Sequence, residues 1–390
     1  MSSLPKPASI EKPAANIPAK KPKMNTYPWY SPRFWHALRI TDWCKLLARH
    51  NFRVHPFRMP MAAMITATTP FNSAAALLQH LWFGRYIERT RIETPPVFIV
   101  GHWRSGTTLL HELLHLDSRF ATPNTYQCMA PHHTFVTEWL IGKHMGWLVP
   151  SQRPMDNMAA GFQRPQEDEF ALLALGAPTP YARMAFPNDM PGDYTDLLNL
   201  DETSPADLER FKTALVWFAK LITLQTKQKQ LLLKSPPHTG RIGHLAQWFP
   251  GAKFIHIARN PFALFPSTTR LWESLDDVQG LQVARHKNLR EYVFDCGERM
   301  YRGYEKQRIE IPAGDLYELK YEDLVKDPVG QCEQIYERLN LGNFDPVRDK
   351  IAAYMQTQKD YQTNKHQMDA ETEAEIRRRW AGYFSRFGYE

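Results

Sequence analysis

Short apolar runs alternate with longer segments of helical pattern from about residue 95 onward. Four runs are predicted to be strands: "VFIV" (97–100), "LLLK" (231–234), "AKFIHIAR" (252–259) and "LYELKY" (316–321). The segments between them predict helices, namely "TTLLHELLHL", "HTGRIGHLAQWF" and "GQCEQIYERLNLG", the last closed by Gly342. Apolar strands that alternate with helices are typical of a parallel sheet covered on both faces. We therefore predict an α/β fold, a P-loop-like parallel sheet flanked by helices.

The chain before this region predicts helices. Its most apolar run, residues 61–83, is interrupted by Pro70, Asn72, Gln79 and His80, whereas a membrane-spanning helix needs about 20 mostly apolar residues. We interpret it as a buried or interfacial helix. The preceding segment "YPWYSPRFWHALRITDW" mixes tryptophan with arginine, which suits a helical cap and equally a membrane interface. We favour an N-terminal helical cap over residues 25–92, followed by an α/β domain over residues 93–390.

Charge and cysteine content change this picture little. The net charge of +7 is concentrated in residues 1–24, where five lysines face one glutamate. This basic, Pro/Lys-rich tail is predicted to be disordered, so we expect no nucleic-acid partner. The four cysteines lack a C-x-x-C pair or zinc spacing, and no apolar signal peptide is visible. We expect no metal site and a cytoplasmic location, with a peripheral membrane contact as the alternative.

The loop after the first predicted strand, "GHWRSGTT", is the first candidate site. Gly101 and Gly106 have the spacing of a phosphate-binding loop, G-x-x-x-x-G-K-[ST], but Thr107 stands in the place of its lysine. Arg104 supplies a cation instead, with a fork of donors suited to phosphate or sulfate. The N–H groups of residues 105–108, at the helix start, are expected to face the anion. The structural alternative is an ordinary strand–turn–helix connection.

The end of the third long strand carries a second candidate site, "FIHIARNPFALFPSTTRLW". Arg259 ends the strand, and Ser267 follows about two turns into a helix that starts near Pro261. We expect Ser267 to face back toward a phosphate held by Arg259, because ligands of such sheets lie beyond the carboxyl ends of the strands. Taken alone, a surface arginine and a helical serine are an equally simple interpretation.

The two sites together resemble those of the PAPS-dependent sulfotransferases, in which PAPS is 3′-phosphoadenosine 5′-phosphosulfate. "LLLKSPPH" and "LKYEDLVKDP" resemble further segments of that family, and the similarity covers roughly residues 95 to 345. The branch looks bacterial, with "RSGTT" in place of "PKSGTT". By resemblance, Arg104, Ser105, Gly106, Thr107 and Thr108 grip the 5′-phosphosulfate. Arg259 and Ser267 grip the 3′-phosphate.

The resemblance implies transfer of a sulfuryl group from PAPS to a hydroxyl or amine of a small-molecule, glycan or lipid acceptor. Arg104 would stabilise the leaving phosphate without a metal ion. A P-loop kinase or nucleotide-binding protein is the alternative, although such a loop needs its lysine and Mg²⁺. The oligomeric state is not predicted.

The base that takes the acceptor proton is harder to assign from the sequence. Candidates are His132, His133 and the acidic run Glu167, Asp168 and Glu169. The acidic run follows Pro165 and equally suits a plain helix start. We favour Glu167, then His133, as catalytic residues, and Lys234 as a cation that steadies the transferred group. Lys365, His366 and Tyr383 are weaker candidates for contacts with the nucleotide.

Overall fold

The structure, a computed structural model, describes residues 27–28, 30–149, 160–189, 194–358 and 368–390. The predicted tail, residues 1–24, lies outside these ranges, as do Lys365 and His366.

Five strands and fifteen α-helices are described. The strands are β1 (Val97–Val100), β2 (Phe120–Ala121), β3 (Gln230–Lys234), β4 (Lys253–Ala258) and β5 (Leu316–Lys320). The helices are α1 (Ile40–Arg49), α2 (Met59–Arg89), α3 (Thr107–His115), α4 (Thr125–Met129), α5 (Thr134–Thr137), α6 (Asp168–Ala174), α7 (Pro205–Gln225), α8 (Ile242–Trp248), α9 (Pro261–Gln279), α10 (Leu289–Gln307), α11 (Tyr321–Lys326), α12 (Pro328–Leu339), α13 (Asp345–Thr357), α14 (Ala370–Arg379) and α15 (Ala381–Phe387). Shorter helical turns include a π-helical turn, Glu138–Gly142, and a 3₁₀ turn, Pro236–Arg241.

The sheet is parallel throughout its described strands, in the order β2-β3-β1-β4-β5. The central strand β1 pairs with β3 on one side and with β4 on the other. The predicted α/β architecture and its four long strands are therefore confirmed. Because the strands are parallel, the segments that follow β1, β3 and β4 leave the sheet at the same edge.

Alternate residues of each strand pack into two different cores. Phe98, Leu233 and Phe254 belong to the larger core, which also contains α7, α9 and α10. Ile99 and Ile255, one position further along, belong to a second core formed with α3, α12 and α13. Both faces of the central strands are thus covered by apolar side chains, which explains why apolar residues follow one another without alternation in β1 and β3.

Two helices differ from the pattern predicted for them. The helix predicted over residues 238–249 starts later, at Ile242. The residues before it belong to the 3₁₀ turn Pro236–Arg241. The helix predicted to close at Gly342 ends at Leu339, where Asn340 adopts a left-handed conformation with φ of 53°. The short asparagine side chain tolerates this cap, a role more often filled by glycine.

The N-terminal helical segment shares the larger core. Trp35, Trp43, Ile65 and Ile87 are buried within it. Helices α1 and α2 therefore form one body with the sheet. Within the described part of the chain, no helix combines the length and the apolar character needed to cross a membrane.

Candidate functional site

The loop after β1 is closely confined by its neighbours. A Cβ added to Gly101, whose φ is 146°, would lie 2.5 Å from the carbonyl oxygen of Ile257 on β4. A Cβ on Gly106, with φ of 105°, would lie 2.3 Å from the Tyr321 ring. Both positions therefore require glycine for space and for backbone conformation. The Gly101 N–H also donates to Thr239 Oγ1 at 2.7 Å, which ties the loop to the segment after β3.

The loop presents an anion-binding arrangement at the start of α3. Arg104 adopts a left-handed conformation with φ of 69°, which is strained for a residue with a side chain. The first N–H groups of α3, which begins at Thr107, have no acceptor within the helix. Ser105 is fully buried, and its Oγ has no hydrogen-bond partner among the described residues. These donors and the helix dipole fit a phosphate or sulfate group.

The second candidate element, after β4, contacts this loop directly. Arg259 Nη1 donates to the main-chain oxygen of Arg104 at 2.8 Å, and Arg104 Nε donates to Ser267 Oγ at 3.0 Å. The Arg259 guanidinium also lies over the Tyr321 ring, 4.4 Å from its centroid. Two motifs about 155 residues apart in the sequence thus meet at one place. As predicted, α9 begins at Pro261, and Ser267, about two turns into it, contacts the Arg104 side chain.

The C-terminal helix α15 holds the main chain of Arg259. The Tyr383 hydroxyl accepts from the Arg259 N–H at 2.9 Å and donates to the Arg259 carbonyl at 3.0 Å. Burial raises the pKa of Tyr383, so its hydroxyl stays protonated. Tyr383 was a weak candidate from the sequence. In the structure its hydroxyl holds the main chain of Arg259 in place.

The acidic run that begins α6 is paired, residue by residue, with basic side chains from the end of β3 and the turn that follows it. The three distances are 2.8 Å, 2.5 Å and 2.8 Å for Glu167–Lys234, Asp168–His238 and Glu169–Arg241 respectively. The run is also a helix start, with Glu167 at the N-cap position and the other two acids in the first turn. The interpretation of the run as a helix start is therefore correct, and its three side chains also form pairs with the segment after β3.

Exposure separates the three acids. Asp168 and Glu169 are completely buried, whereas 14% of the Glu167 side chain is exposed. Burial pushes the pKa of Asp168 upward, but the charge and hydrogen bond of His238 outweigh it and hold that pKa below its ordinary value. Within this acidic run, only Glu167 is accessible to a substrate.

Glu167 is linked to the loop through Tyr181. Its Oε2 accepts from the Tyr181 hydroxyl at 2.5 Å, and that hydroxyl accepts from Trp103 Nε1, in the loop, at 2.9 Å. Its Oε1 accepts from Lys234 Nζ at 2.8 Å. Burial, reinforced by the nearby Glu167 charge, raises the pKa of Tyr181, so Tyr181 acts as a donor. The structure thus brings Glu167 and Lys234 together. Tyr181 belongs to no motif that was used in the sequence analysis, and His238, the last residue of "LLLKSPPH", was given no role there.

The two histidine candidates, His132 and His133, make their contacts with α2, α5 and the end of α6 and not with the loop after β1. His133 Nδ1 bonds to Thr137 Oγ1 at 2.8 Å, and the ring contacts Phe71 of α2. Burial lowers the pKa of His133 to about 4. His132 Nε2 bonds to the carbonyl of Ala174, and burial lowers its pKa to about 3. These contacts lie with α2, α5 and the C-terminal end of α6. No group of three or more potential metal ligands occurs among the described residues.

Comparison with known proteins identifies the family. Residues 95–346 match the model of the sulfotransferase family. The chain belongs to this family. It is 39% identical over 362 residues to the omega-hydroxy-beta-dihydromenaquinone-9 sulfotransferase Stf3 of Mycobacterium bovis and to that of Mycobacterium tuberculosis. The alignment covers 93% of this chain and 92% of each relative. The predicted family and its reaction type, transfer of a sulfuryl group, are therefore confirmed.

Solved structures of two mycobacterial sulfotransferases have the same fold. STF9 from Mycobacterium avium superposes with a TM-score of 0.66 at 18% identity, over 86% of this chain and 87% of that one. STF1 from Mycobacterium tuberculosis H37Rv gives a TM-score of 0.62 at 16% identity, over 90% and 94% of the two chains. At these identities the likeness establishes the fold alone. The loop after β1 thus lies at the carboxyl edge of a sheet whose fold these two structures share.

Proposed function

We propose that this sulfotransferase takes its sulfuryl group from PAPS and passes it to a hydroxyl group without a metal ion. The observation that carries the proposal is the contact of the two anion-binding elements, Arg104 Nε with Ser267 Oγ at 3.0 Å and Arg259 Nη1 with the Arg104 carbonyl at 2.8 Å. PAPS carries phosphate groups on the 3′ and 5′ positions of one ribose. A pair of adjoining anion sites suits such a donor. A nucleoside triphosphate would require only the first of them, the loop after β1.

Each element has a proposed role in holding PAPS. The N–H groups of residues 105–108 and the hydroxyls of Thr107 and Thr108 bind the 5′-phosphosulfate. Arg259 and Ser267 bind the 3′-phosphate, with Tyr321 supporting the guanidinium. Arg104 lies between the two groups, since its side chain reaches Ser267 while its backbone belongs to the first loop. Its charge stabilises negative charge on the departing phosphate oxygen.

Glu167 is the proposed general base, and Lys234 the residue that orients it. Glu167 accepts the proton of the acceptor hydroxyl while the hydroxyl oxygen forms a bond to sulfur. The bond between sulfur and the bridging oxygen breaks at the same time, and adenosine 3′,5′-bisphosphate (PAP) is released. The partial exposure of Glu167 and its link through Tyr181 to Trp103 support this role. His133 is the second candidate. Its confinement between α2 and α5 weighs against it.

A hydroxylated lipid is the proposed acceptor class. The relatives with 39% identity are named for an omega-hydroxy menaquinone, and the alignment covers almost their whole length. We further propose that the reaction takes place in the cytoplasm and that residues 93–390 form the catalytic unit, capped by residues 25–92.

A transfer assay tests the proposal. The protein is incubated with ³⁵S-labelled PAPS and a quinone whose prenyl chain ends in a hydroxyl, with and without EDTA. We expect labelled lipid and PAP in both cases, and much less in Arg259→Ala. Transfer that EDTA abolishes would contradict the metal-free mechanism. Binding of ATP with Mg²⁺ as tightly as PAP would favour the P-loop kinase instead.

A further inference from the structure

The outward face of α2 is apolar over most of its length. No aspartate, glutamate, lysine or arginine occurs from Met59 to Gly84. The exposed positions recur every three or four residues, so they lie along one stripe of the helix. Its large side chains are exposed by 39–66%: Phe71, Leu77, Leu78, Leu81 and Trp82. We call these five residues the α2 face. Spanning 12 positions, they extend about 17 Å along the helix.

Two polar residues of α2, Asn72 and Gln79, point the other way, into the protein. Asn72 Nδ2 donates to the carbonyls of His36 and Leu38, at 2.6 and 3.0 Å. Gln79 bonds to the Pro131 carbonyl and the Phe135 N–H, both at 2.9 Å. An ordinary surface helix buries its apolar stripe and exposes its polar one. In α2, by contrast, Asn72 and Gln79 form hydrogen bonds with the backbone of neighbouring segments, and the apolar stripe is exposed on the surface.

The segment packed against α2 adds further exposed aromatic side chains. Phe135 stacks on Phe83 with ring centroids 4.7 Å apart, which fixes this segment to the helix. Trp139 and Trp147, shortly after it, are 62% and 68% exposed. Exposed tryptophans in this number are unusual for a surface that faces only water, and they are enriched where a protein meets lipid headgroups.

Basic residues follow the apolar stripe directly. Arg85 and Arg89 are exposed and continue the same stripe after Trp82, with Tyr86 65% exposed beside them. Glu88, at the margin of the stripe, leaves the end of the helix net positive. Aromatic rings next to arginine suit the level of lipid headgroups, and the positive charge complements anionic lipid. A second copy of the chain, docked through the same face, would bring two arginines and only one acidic residue, Glu88, to match them.

We propose that the α2 face docks on the surface of an anionic lipid bilayer, with α2 lying along the membrane and Arg85 and Arg89 among the headgroups. The helix does not meet the requirement for spanning a bilayer, so the contact is interfacial. This inference rests on the surface alone and requires neither PAPS nor the proposed acceptor. Its failure is therefore distinguishable from failure of the proposed function.

Vesicle sedimentation tests the proposal without any nucleotide. The full chain is mixed with vesicles of phosphatidylcholine alone or of phosphatidylcholine with phosphatidylglycerol. We expect stronger binding to the anionic vesicles, and a loss of about tenfold or more in Leu81→Glu and in Trp82→Glu, because both place a negative charge in the stripe that would contact the lipid. The matched control is Ile309→Glu, whose side chain is 76% exposed after α10, outside the α2 face. It should bind vesicles like the wild type.

Two further measurements make the test decisive. The double variant Arg85→Gln, Arg89→Gln should lose the preference for anionic vesicles and keep weak binding to neutral ones. Circular dichroism and PAP affinity should be unchanged in every variant, since all these side chains are exposed. Wild-type protein that fails to sediment with vesicles, or Leu81→Glu that sediments normally, would overturn the proposal. So would a wild-type dimer that Leu81→Glu dissociates, since the face would then bind a second copy.

Discussion

Replacing Glu167 by glutamine separates its structural role from its catalytic one. The glutamine keeps the shape and one oxygen acceptor, but it removes the negative charge beside Lys234, whose side chain is only 1% exposed. Breaking a fully buried ion pair costs about 3–5 kcal/mol of unfolding free energy. Because 14% of Glu167 is exposed and one oxygen remains for a hydrogen bond, we expect a loss of about 1–3 kcal/mol.

The effect on turnover should be much larger than this loss of stability suggests. A glutamine cannot accept the acceptor proton, so turnover should fall about 10²- to 10⁴-fold. PAP affinity should change little, because neither Glu167 nor its direct partners belong to the proposed phosphate contacts. Initial rates on the hydroxylated lipid, calorimetry with PAP and urea unfolding measure the three quantities on the same samples.

A double variant provides the control. Adding Lys234→Met to Glu167→Gln removes the buried ammonium group as well, so part of the unfolding free energy should return while turnover stays low. Glu169→Gln provides a second comparison, since it breaks the completely buried pair with Arg241. Glu169→Gln should lower the unfolding free energy more than Glu167→Gln does, and it should lower the turnover per folded molecule less. Retained turnover in Glu167→Gln, with a collapse in His133→Ala, would refute the reasoning and transfer the role of base to His133.

Three further predictions concern other parts of the site and fold. Arg104→Ala should lower turnover more than PAP affinity, because its charge matters most as the leaving phosphate forms; equal losses in single-turnover rate and calorimetric affinity would contradict this. Tyr383→Phe should weaken PAP binding about 3- to 10-fold by calorimetry, because it removes hydrogen bonds that hold Arg259; unchanged affinity would count against that support. Burial lowers the pKa of His102 to about 4 and that of His256 to about 3, so the unfolded state binds more protons below pH 6.5. The unfolding free energy should therefore fall as the pH drops from 6.5 toward 4, by about 1.4 kcal/mol per pH unit for each histidine. Urea titrations should show a shallower slope in His256→Gln, and a profile independent of pH would exclude the effect.

The strands and the loop were predictable because local pattern determines them. "VFIV" and the "LLL" of residues 231–233 are apolar throughout, as strands buried on both faces must be, and the two glycines of "GHWRSG" occupy positions that no larger residue fits. The two elements could be expected at the same edge of a parallel sheet, but the direct contact of Arg104 with Ser267 was not predicted. Nothing in the local sequence states that residues so far apart meet.

The network around Glu167 was not predictable in the same way. "QEDE" is a good helix start by composition, and that interpretation is correct as far as it goes. Its ionic partners come from "KSPPHTGR", and the pairing depends on how α6 lies across the end of β3. Tyr181 belongs to a 3₁₀ turn without periodicity. Likewise, the apolar stripe of α2 resembles a core face in sequence, and only the packing reveals that it points outward.

The central claim is that Arg259 recognises the 3′-phosphate of the donor. Calorimetry should compare PAP with adenosine 5′-monophosphate, which lacks that phosphate, on the wild type and on Arg259→Ala. A charge-assisted contact contributes roughly 1.5–3 kcal/mol, so the wild type should bind PAP about ten- to a hundredfold more tightly than the monophosphate. In Arg259→Ala that difference should almost vanish through loss of PAP affinity alone. If the substitution weakens both ligands equally, or neither, Arg259 does not bind the 3′-phosphate, and the assignment of PAPS as the donor is contradicted.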